Sequence, residues 1–588
     1  MIKELGELGA GICAQKYGEW NHIALKEEPI SIDLVIDNNG NFCKFDLLEK
    51  STIAEALTSK KGKARLLLDK AEEVLEYGPN STKKHQWFLD KINQYSDLPE
   101  LKPVTAFYGE NRENGLEKAQ QEFIKQIPDE KNRKGNISFR IQGKSNRIHE
   151  EPGVMWRVIN EYTKNHKIGK ACSVCGKADY PVEDIPHGMI KRVPDGQSSG
   201  CALVSYNEPA FESYELKGNE NSAICAGCAK AYVEGLNWLM SDGREILVKP
   251  KKGKERKEFR YTHRKNFGKD TAVVYWTREN NELPEMDQFD APDPAEVAKL
   301  IESVSSGIVA GSRFIKTDRF YSCTLSGSAA RIAVRDWIEV SLDDLYKSIA
   351  KWFQDIIVVE YNPDLKKLEK HYGRLYDMAK SCQRKNSDGS YDKDDTSPAR
   401  IAAHLWNSAL KNAAPPLWVL TRVLQRSCLD KKGVTADRAA LIKLILNRHN
   451  KGGEIMITEN ATSGDRPLAY VCGQIFAKLE SIQYHSASGD RNAGIRERYF
   501  TYAMTLPSAA FGRLFDLNSK HYRKLKNEKP GLAINLDKEL QDLVKDVDIQ
   551  KLPTTFSLVQ KGQFAIGYYH QKQAQFNGSN KKDNMEEN

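Results

Sequence analysis

Ile32-Asp33-Leu34-Val35-Ile36, then Asn39-Gly40, then a returning run from Phe42 to Leu48, is the stretch that sets the fold class. The first run alternates apolar and polar residues. Asn-Gly supplies the left-handed backbone that tight hairpin turns need, so 32–48 predicts a β-hairpin. Outward from it, Ile137-Ser138-Phe139-Arg140-Ile141 alternates as a second strand signal, and residues 110–135 read as a polar helix with loops. Thr271–Trp276 reads as a buried strand and Phe320–Leu325 as another, with Pro284, Pro292 and Pro294 marking a linker between them. Ser326-Gly327-Ser328 predicts the start of a helix whose apolar face runs on through Leu342, Leu345, Ile349, Trp352 and Phe353.

Beyond about residue 340 helical spacing takes over, as at Leu417, Leu420, Val423 and Leu424, and again at Leu441, Leu444 and Ile445. A Gly/Asn-rich break at 449–453 precedes a last unit with helices expected near 467–484, 491–503, 508–526, 536–547 and 556–575. The fold class expected is therefore α+β. A mixed α/β N-terminal region (1–340) with a zinc-knuckle insertion leads through a helical connecting region (341–455) to an all-α bundle (456–588).

The chain has 588 residues, 40% apolar and 29% charged, with a mean hydropathy of −0.60. That composition suits a polar-surfaced globular protein of several domain-sized units rather than a disordered one. No run approaches the roughly 18–20 apolar residues of a membrane span. The start, Met1-Ile2-Lys3-Glu4-Leu5, lacks the pattern of a secretion leader, so a cytoplasmic protein is expected. The eleven cysteines then read as thiols or metal ligands rather than disulfides.

Four of them form two pairs, Cys172-x2-Cys175 and Cys225-x2-Cys228, with Gly176 and Gly227 at the knuckles. Two such pairs predict a tetrahedral Zn²⁺ site, and a four-thiolate set leaves no position for a reactive water. The competing reading is four free cysteines on unrelated elements. Between the pairs runs Lys191-Arg192-Val193-Pro194-Asp195-Gly196-Gln197-Ser198-Ser199-Gly200, followed by an expected apolar strand, Cys201–Asn207. Lys191 and Arg192 suit phosphates. The amides of Gln197 and Asn207 suit base edges, and Ser198 and Ser199 allow close approach. An ordinary polar turn before a strand accounts for the same residues.

Net charge is +8, and an equal excess lies within Lys249–Lys269, which holds ten Lys/Arg against Glu255 and Glu258. Lys251, Lys252, Lys254, Arg256, Lys257, Arg260 and Arg264, interleaved with Phe259, Tyr261 and Phe267, suit a mobile arm on a nucleic-acid backbone; a solvated loop is the alternative. Arg331 and Arg335, four apart on the expected helix, share a face that can hold a phosphate or pair with carboxylates such as Asp336 and Glu339. Catalytic signatures are missing. Gly143-Lys144-Ser145 lacks the first glycine of a P-loop, and neither a His-Glu-x-x-His nor a His-Asp motif occurs.

Several blocks together resemble the large subunit of the type I-C CRISPR interference complex, Cascade. They are Gly196–Gly200 with Leu203–Asn207, Ala210–Tyr214, Ala229–Leu239, Thr271–Trp276, Leu325–Arg335, Asp465–Pro467, Arg496–Phe500, Glu528–Ala533 and Gly567–Gln571. The resemblance implies a non-enzymatic subunit of an RNA-guided complex. It would read a short flanking motif (the PAM) in double-stranded DNA, help open the duplex, stabilise the displaced strand and recruit a helicase-nuclease. Implied partners are the guide RNA with its backbone, handle-binding and small subunits; no membrane is implied. The last unit would resemble the small subunit, with Met456 a candidate internal start and Lys520, Arg523 and Lys524 a basic segment for the displaced strand. Two departures stand out: the four-cysteine arrangement, and Gly327-Ser328 where the family usually carries Pro-Asn. A zinc-containing nuclease or nucleic-acid-modifying enzyme is the alternative function.

Overall fold

A computed structural model describes residues 1–586 apart from 58–63, 80, 165–167, 179, 182–186, 249–254, 280–282, 307–317, 451, 453–454, 462–465, 487–493 and 546. The chain divides into two compact units. The first is Met1–His263 with Gly327–Ala333, and the second is Arg264–Ser326 with Val334–Asn588.

In the first unit the hairpin forms as its alternation requires. Strands β1 (Leu25–Ile36) and β2 (Phe42–Glu55) run antiparallel from Leu25 opposite Glu55 to Ile36 opposite Phe42. Gly40 adopts φ 83°, and the Asp37 carboxylate accepts from the backbone N–H groups of Asn39 (2.9 Å) and Asn41 (2.8 Å), closing the turn. Strands β3 (Leu68–Asp69) and β4 (Ile137–Ile141) complete a sheet of order β2-β1-β4-β3, with β4 parallel to β1. Ile32, Leu34, Ile36, Ile137 and Phe139 are buried in one cluster with Phe88, Phe107 and Phe123 of the covering helices. Burying each such side chain contributes about 1.5–3 kcal/mol.

Asp33 lies opposite Asp46 across the β1–β2 ladder. Arg140 bonds both carboxylates, and Arg147 Nε (2.8 Å) and Ser138 Oγ (2.7 Å) also donate to Asp33, so this buried charge is paired. The N-terminal helix Ile2–Tyr17 packs on helix Ala226–Ser241 at glycines. A Cβ on Gly9 would collide with the Ala231 carbonyl, and one on Gly235 would sit 2.7 Å from the Leu5 carbonyl. Further along, β5 (Ile168–Lys170) pairs with β6 (Tyr180–Pro181), and β7 (Gly243–Val248) with β8 (Arg256–Tyr261).

The second unit begins with β9 (Arg264–Phe267), β10 (Thr271–Thr277), β11 (Arg319–Ser328) and β12 (Arg331–Ser341), in sheet order β12-β11-β10-β9, the tip residues 327–333 of the last hairpin being counted with the first unit. Every residue of β10 is buried, as its unbroken apolar run predicts. The helix expected to start at Ser326 does not form there. Residues 331–341 are strand, paired into the sheet, and the helix begins only at Leu342, capped by the Ser341 hydroxyl accepting from Asp344 N–H at 3.1 Å. The short hairpin β13 (Val358–Asn362) and β14 (Lys367–His371) follows.

From Ser397 onward the unit is helical, ending in Ile495–Thr505, Pro507–Glu528, Pro530–Val544 and Leu558–Glu586. Its core joins Trp352, Phe353 and Trp406 to Phe476, Phe564 and Tyr568. The helices Leu468–Ser486 and Leu558–Glu586 meet at two glycines. A Cβ on Gly473 or Gly567 would strike the Phe564 or Tyr470 carbonyl. Among the described residues no helix is long and apolar enough to cross a membrane.

Candidate nucleic-acid interface and cysteine cluster

The four cysteines come together. Their sulfurs all lie within 4.8 Å of one another, and Cys175 and Cys225 Sγ are 3.9 Å apart. A tetrahedral metal with sulfur bonds of about 2.3 Å sets neighbouring sulfurs about 3.8 Å apart, so the cluster fits such an ion. Local backbone builds it. Gly176, at φ 73°, turns the first knuckle so that its N–H reaches the Cys172 carbonyl at 2.9 Å. Cys225 caps helix Ala226–Ser241, its sulfur accepting from the Cys228 N–H at 3.5 Å. Burial alone would raise the Cys172 thiol, but backbone N–H groups of Cys225, Cys175 and Val174 pull it down to about 6. Burial pushes Cys225 and Cys228 upward. A cation held by four thiolates would lower all of them, and the closed donor set is compatible with a structural zinc.

Residues 187–206 do not form the apolar strand expected at Cys201–Asn207; only isolated bridges occur there. Ile190 pairs with Cys201, Gly196 with Ala329, and Ala202 with Arg331. The chain is thus laid along the tip of the hairpin 327–333. Gly327 N–H donates to the Pro194 carbonyl at 2.9 Å, Ala202 N–H to Ala330 at 2.8 Å and Ile332 N–H to Ala202 at 3.0 Å. A Cβ on Gly327 would lie 2.5 Å from the Pro194 carbonyl oxygen, so this contact needs glycine, which gives the departure at Gly327 a physical reason.

On this scaffold Lys191, Arg192, Gln197, Ser198, Ser199 and Asn207 are all exposed. Arg192 and Asp195 sit at φ 60° and 58°, a left-handed conformation that aspartate tolerates better than a long side chain such as arginine's. The Lys191 backbone N–H is anchored by the Asn237 amide at 2.8 Å, leaving its ammonium at the surface. Arg331 donates to Asn207 Oδ1 at 2.6 Å, and its guanidinium lies 4.3 Å from the centre of the Phe211 ring. Sequence reading quoted the stretches holding Phe211, Asn237 and Gly327 but not these roles, because the roles depend on partners tens of residues away or more. Arg335 is exposed and donates to Ser326 Oγ at 2.8 Å. Arg331 and Arg335 do share a face, but through the two-residue period of a strand.

The basic run is partly a paired ribbon. Lys251, Lys252 and Lys254 lie outside the described residues. Arg256, Lys257 and Arg260 stand on β8, opposite Val248, Leu247 and Arg244 of β7. Alternation puts Arg244, Arg256 and Arg260 on one face and Lys257, Phe259 and Tyr261 on the other. Arg244 is an addition; pairing 243–248 with 256–261 was its only signal. Lys257 forms a 3.1 Å ion pair with Glu245, exposed on both sides and therefore worth little. Arg264 is not among the surface cations. It is buried on β9 in the second unit and donates to Asn266 at 2.8 Å.

Lys520, Arg523 and Lys524 are exposed on helix Pro507–Glu528, opposite its buried residues Phe511, Leu514 and Leu525. Arg513, seven residues before Lys520, extends that face.

Among curated proteins none matches the chain. A family model described as "CRISPR-associated protein (Cas_Csd1)" matches residues 12–576. That match takes in the cysteine cluster, the 190–207 segment, the hairpin tip and the basic helix alike, and the chain belongs to this Cas_Csd1 family of CRISPR-associated proteins.

Proposed function

We propose that this chain is the non-enzymatic large subunit of an RNA-guided type I-C surveillance complex. It would recognise the PAM in double-stranded DNA, help open the duplex, hold the displaced strand and recruit a helicase-nuclease. The observation that carries the reading is the exposed set Lys191, Arg192, Gln197, Ser198, Ser199 and Asn207 on a segment whose stretch 194–202 pairs by its backbone with the hairpin tip, with Lys191 N–H held by Asn237 and Asn207 by Arg331. Amides and hydroxyls positioned beside cations suit a base edge flanked by phosphates, and in such complexes guide pairing reads the remaining sequence. The arginine face of the β7–β8 ribbon would add sequence-independent phosphate contacts, and Lys520, Arg523 and Lys524 would do so for a single strand.

The test uses the complex assembled around the full chain. Duplex binding should depend on the guide and on the flanking motif. Gln197→Ala and Asn207→Ala should narrow the gap between duplexes with and without the correct motif. Equal binding to all flanking sequences by the wild type would reject PAM reading.

Cys172, Cys175, Cys225 and Cys228 would hold one Zn²⁺ as a structural staple. Bound there, the ion supplies cross-linking and no reactive water. The purified chain should contain about one zinc, and Cys172→Ser should lose it; a metal-free, fully folded wild type would reject the site.

A further inference from the structure

The hydrogen bonds around Asn207 fix what its side chain is able to read. Arg331 Nη2 donates to Asn207 Oδ1 at 2.6 Å, and the Ser205 hydroxyl donates to the same oxygen at 2.9 Å. A guanidinium carries donors and no acceptor, so the amide must face it with its carbonyl end. That oxygen has two lone pairs, and two donors take them. What Asn207 has left to offer is its Nδ2 amino group. The residue is exposed, and among the described residues that group has no hydrogen-bond partner. The arginine is itself held. Its guanidinium lies 4.3 Å from the centre of the Phe211 ring, and the next residue, Ile332, is tied through its N–H to the Ala202 carbonyl at 3.0 Å. Gln197 differs. Its carbonyl meets the Ser199 hydroxyl at 3.5 Å, too long to commit that end of the amide.

Reading adenine from the major groove uses both ends of an amide: the carbonyl accepts from the N6 amino group while the amino group donates to N7. With its carbonyl occupied, Asn207 cannot form that pair. It can donate only, which fits a base acceptor: a purine N7, guanine O6 or thymine O4 in the major groove, or a purine N3 or pyrimidine O2 in the minor groove. We propose that Asn207 reads the flanking duplex as a hydrogen-bond donor alone, touching a base acceptor and no exocyclic amino group, and that Arg331 is the positioning residue that sets this polarity. The inference deepens the PAM reading proposed above and rests on it.

The test uses the guide-loaded complex and duplexes whose flanking base pairs are altered one atom at a time. Acceptors are removed or weakened with 7-deaza- and 3-deazapurines, 2-thiopyrimidines, 4-thiothymine and 6-thioguanine, a set that also separates the two grooves. Exocyclic amino groups are removed with purine for adenine, hypoxanthine for guanine and 2-pyrimidinone for cytosine. One acceptor change should weaken wild-type binding about fivefold. That penalty should vanish in Asn207→Ala, and also in Asn207→Asp, which keeps the oxygen facing Arg331 and Ser205 and drops only the donor. No amino-group removal should carry a penalty that Asn207→Ala abolishes. In Arg331→Met the amide is released, and the acceptor penalty should shrink to about twofold or less, on top of any uniform loss of affinity. An amino-group penalty that depends on Asn207, or the lack of any acceptor penalty that does, would overturn the proposal. An acceptor penalty unchanged in Arg331→Met would overturn the arginine's part in it. Wild-type binding that ignores the flanking sequence altogether is a different result: it would reject the PAM reading itself, and this inference with it.

Discussion

His570 shows at the scale of one residue how burial sets solution behaviour. It is buried on the C-terminal helix, and its Nδ1 meets the Tyr470 hydroxyl at 2.8 Å. Burial pushes its pKa down to about 3, below an ordinary value near 6.5. The unfolded chain therefore binds a proton that the native one refuses below pH 6.5. This contribution is complete above pH 6.5 and is lost as pH falls toward 3, at up to about 1.4 kcal/mol per pH unit. Denaturant unfolding between pH 7 and 4 should show that acid limb, and His570→Phe should make it shallower, with His149 and His187, also pushed down to about 4 by burial, carrying part of the rest. Gly327 is a residue-scale case of geometry. Gly327→Val must displace Pro194 or the hairpin tip, and melting temperature should fall while Gln197 loses its fixed position. An unchanged melting curve would show that the segment adapts at no cost.

At the scale of the element, the β7–β8 ribbon makes the sharpest prediction. Arg256→Glu, Lys257→Glu and Arg260→Glu together should weaken duplex binding and flatten its salt dependence by about 0.9 in log–log slope for each phosphate no longer neutralised. Unchanged affinity and slope would remove the ribbon from the DNA path. This scale also shows what the sequence makes legible. The β1–β2 hairpin and the C-terminal helices can be read because their apolar periods are short-range properties of contiguous residues. Residues 329–335 mislead because Ala-Ala-Arg-Ile-Ala-Val-Arg has good helix formers, yet edge pairing to β11 wins over that local preference. The cysteine cluster is legible from spacing, since paired knuckles have one common use. The joining of 194–202 to the tip at 327–332 is not, because no local pattern reports a contact across more than 120 residues.

At the scale of the whole molecule, charge is resolved in space rather than summed. Exposed cations collect on the ribbon and on helix Pro507–Glu528, while the segment 208–222 carries four glutamates against the one cation Lys217. If Met456 is an internal start, Met456→Ala should abolish a separate product spanning residues 456–588 without removing the full-length chain; persistence of that product would point to another start or to proteolysis. Such a product would lack the helices Leu417–Leu429 and Ala436–His449, whose Leu420 and Leu446 lie against Gly562 of the last helix. It should therefore bury that face again in self-association or on another protein, which its sedimentation would reveal.

The cysteine cluster has a topological corollary. Its two knuckles are separated by the whole excursion that carries 190–207 and the acidic segment 208–222, so one ion would close that excursion at its neck. A protease cutting anywhere between Gly176 and Ile224 would then open a ring rather than sever a branch. The two pieces would stay together under native conditions and part only on addition of a chelator and denaturant.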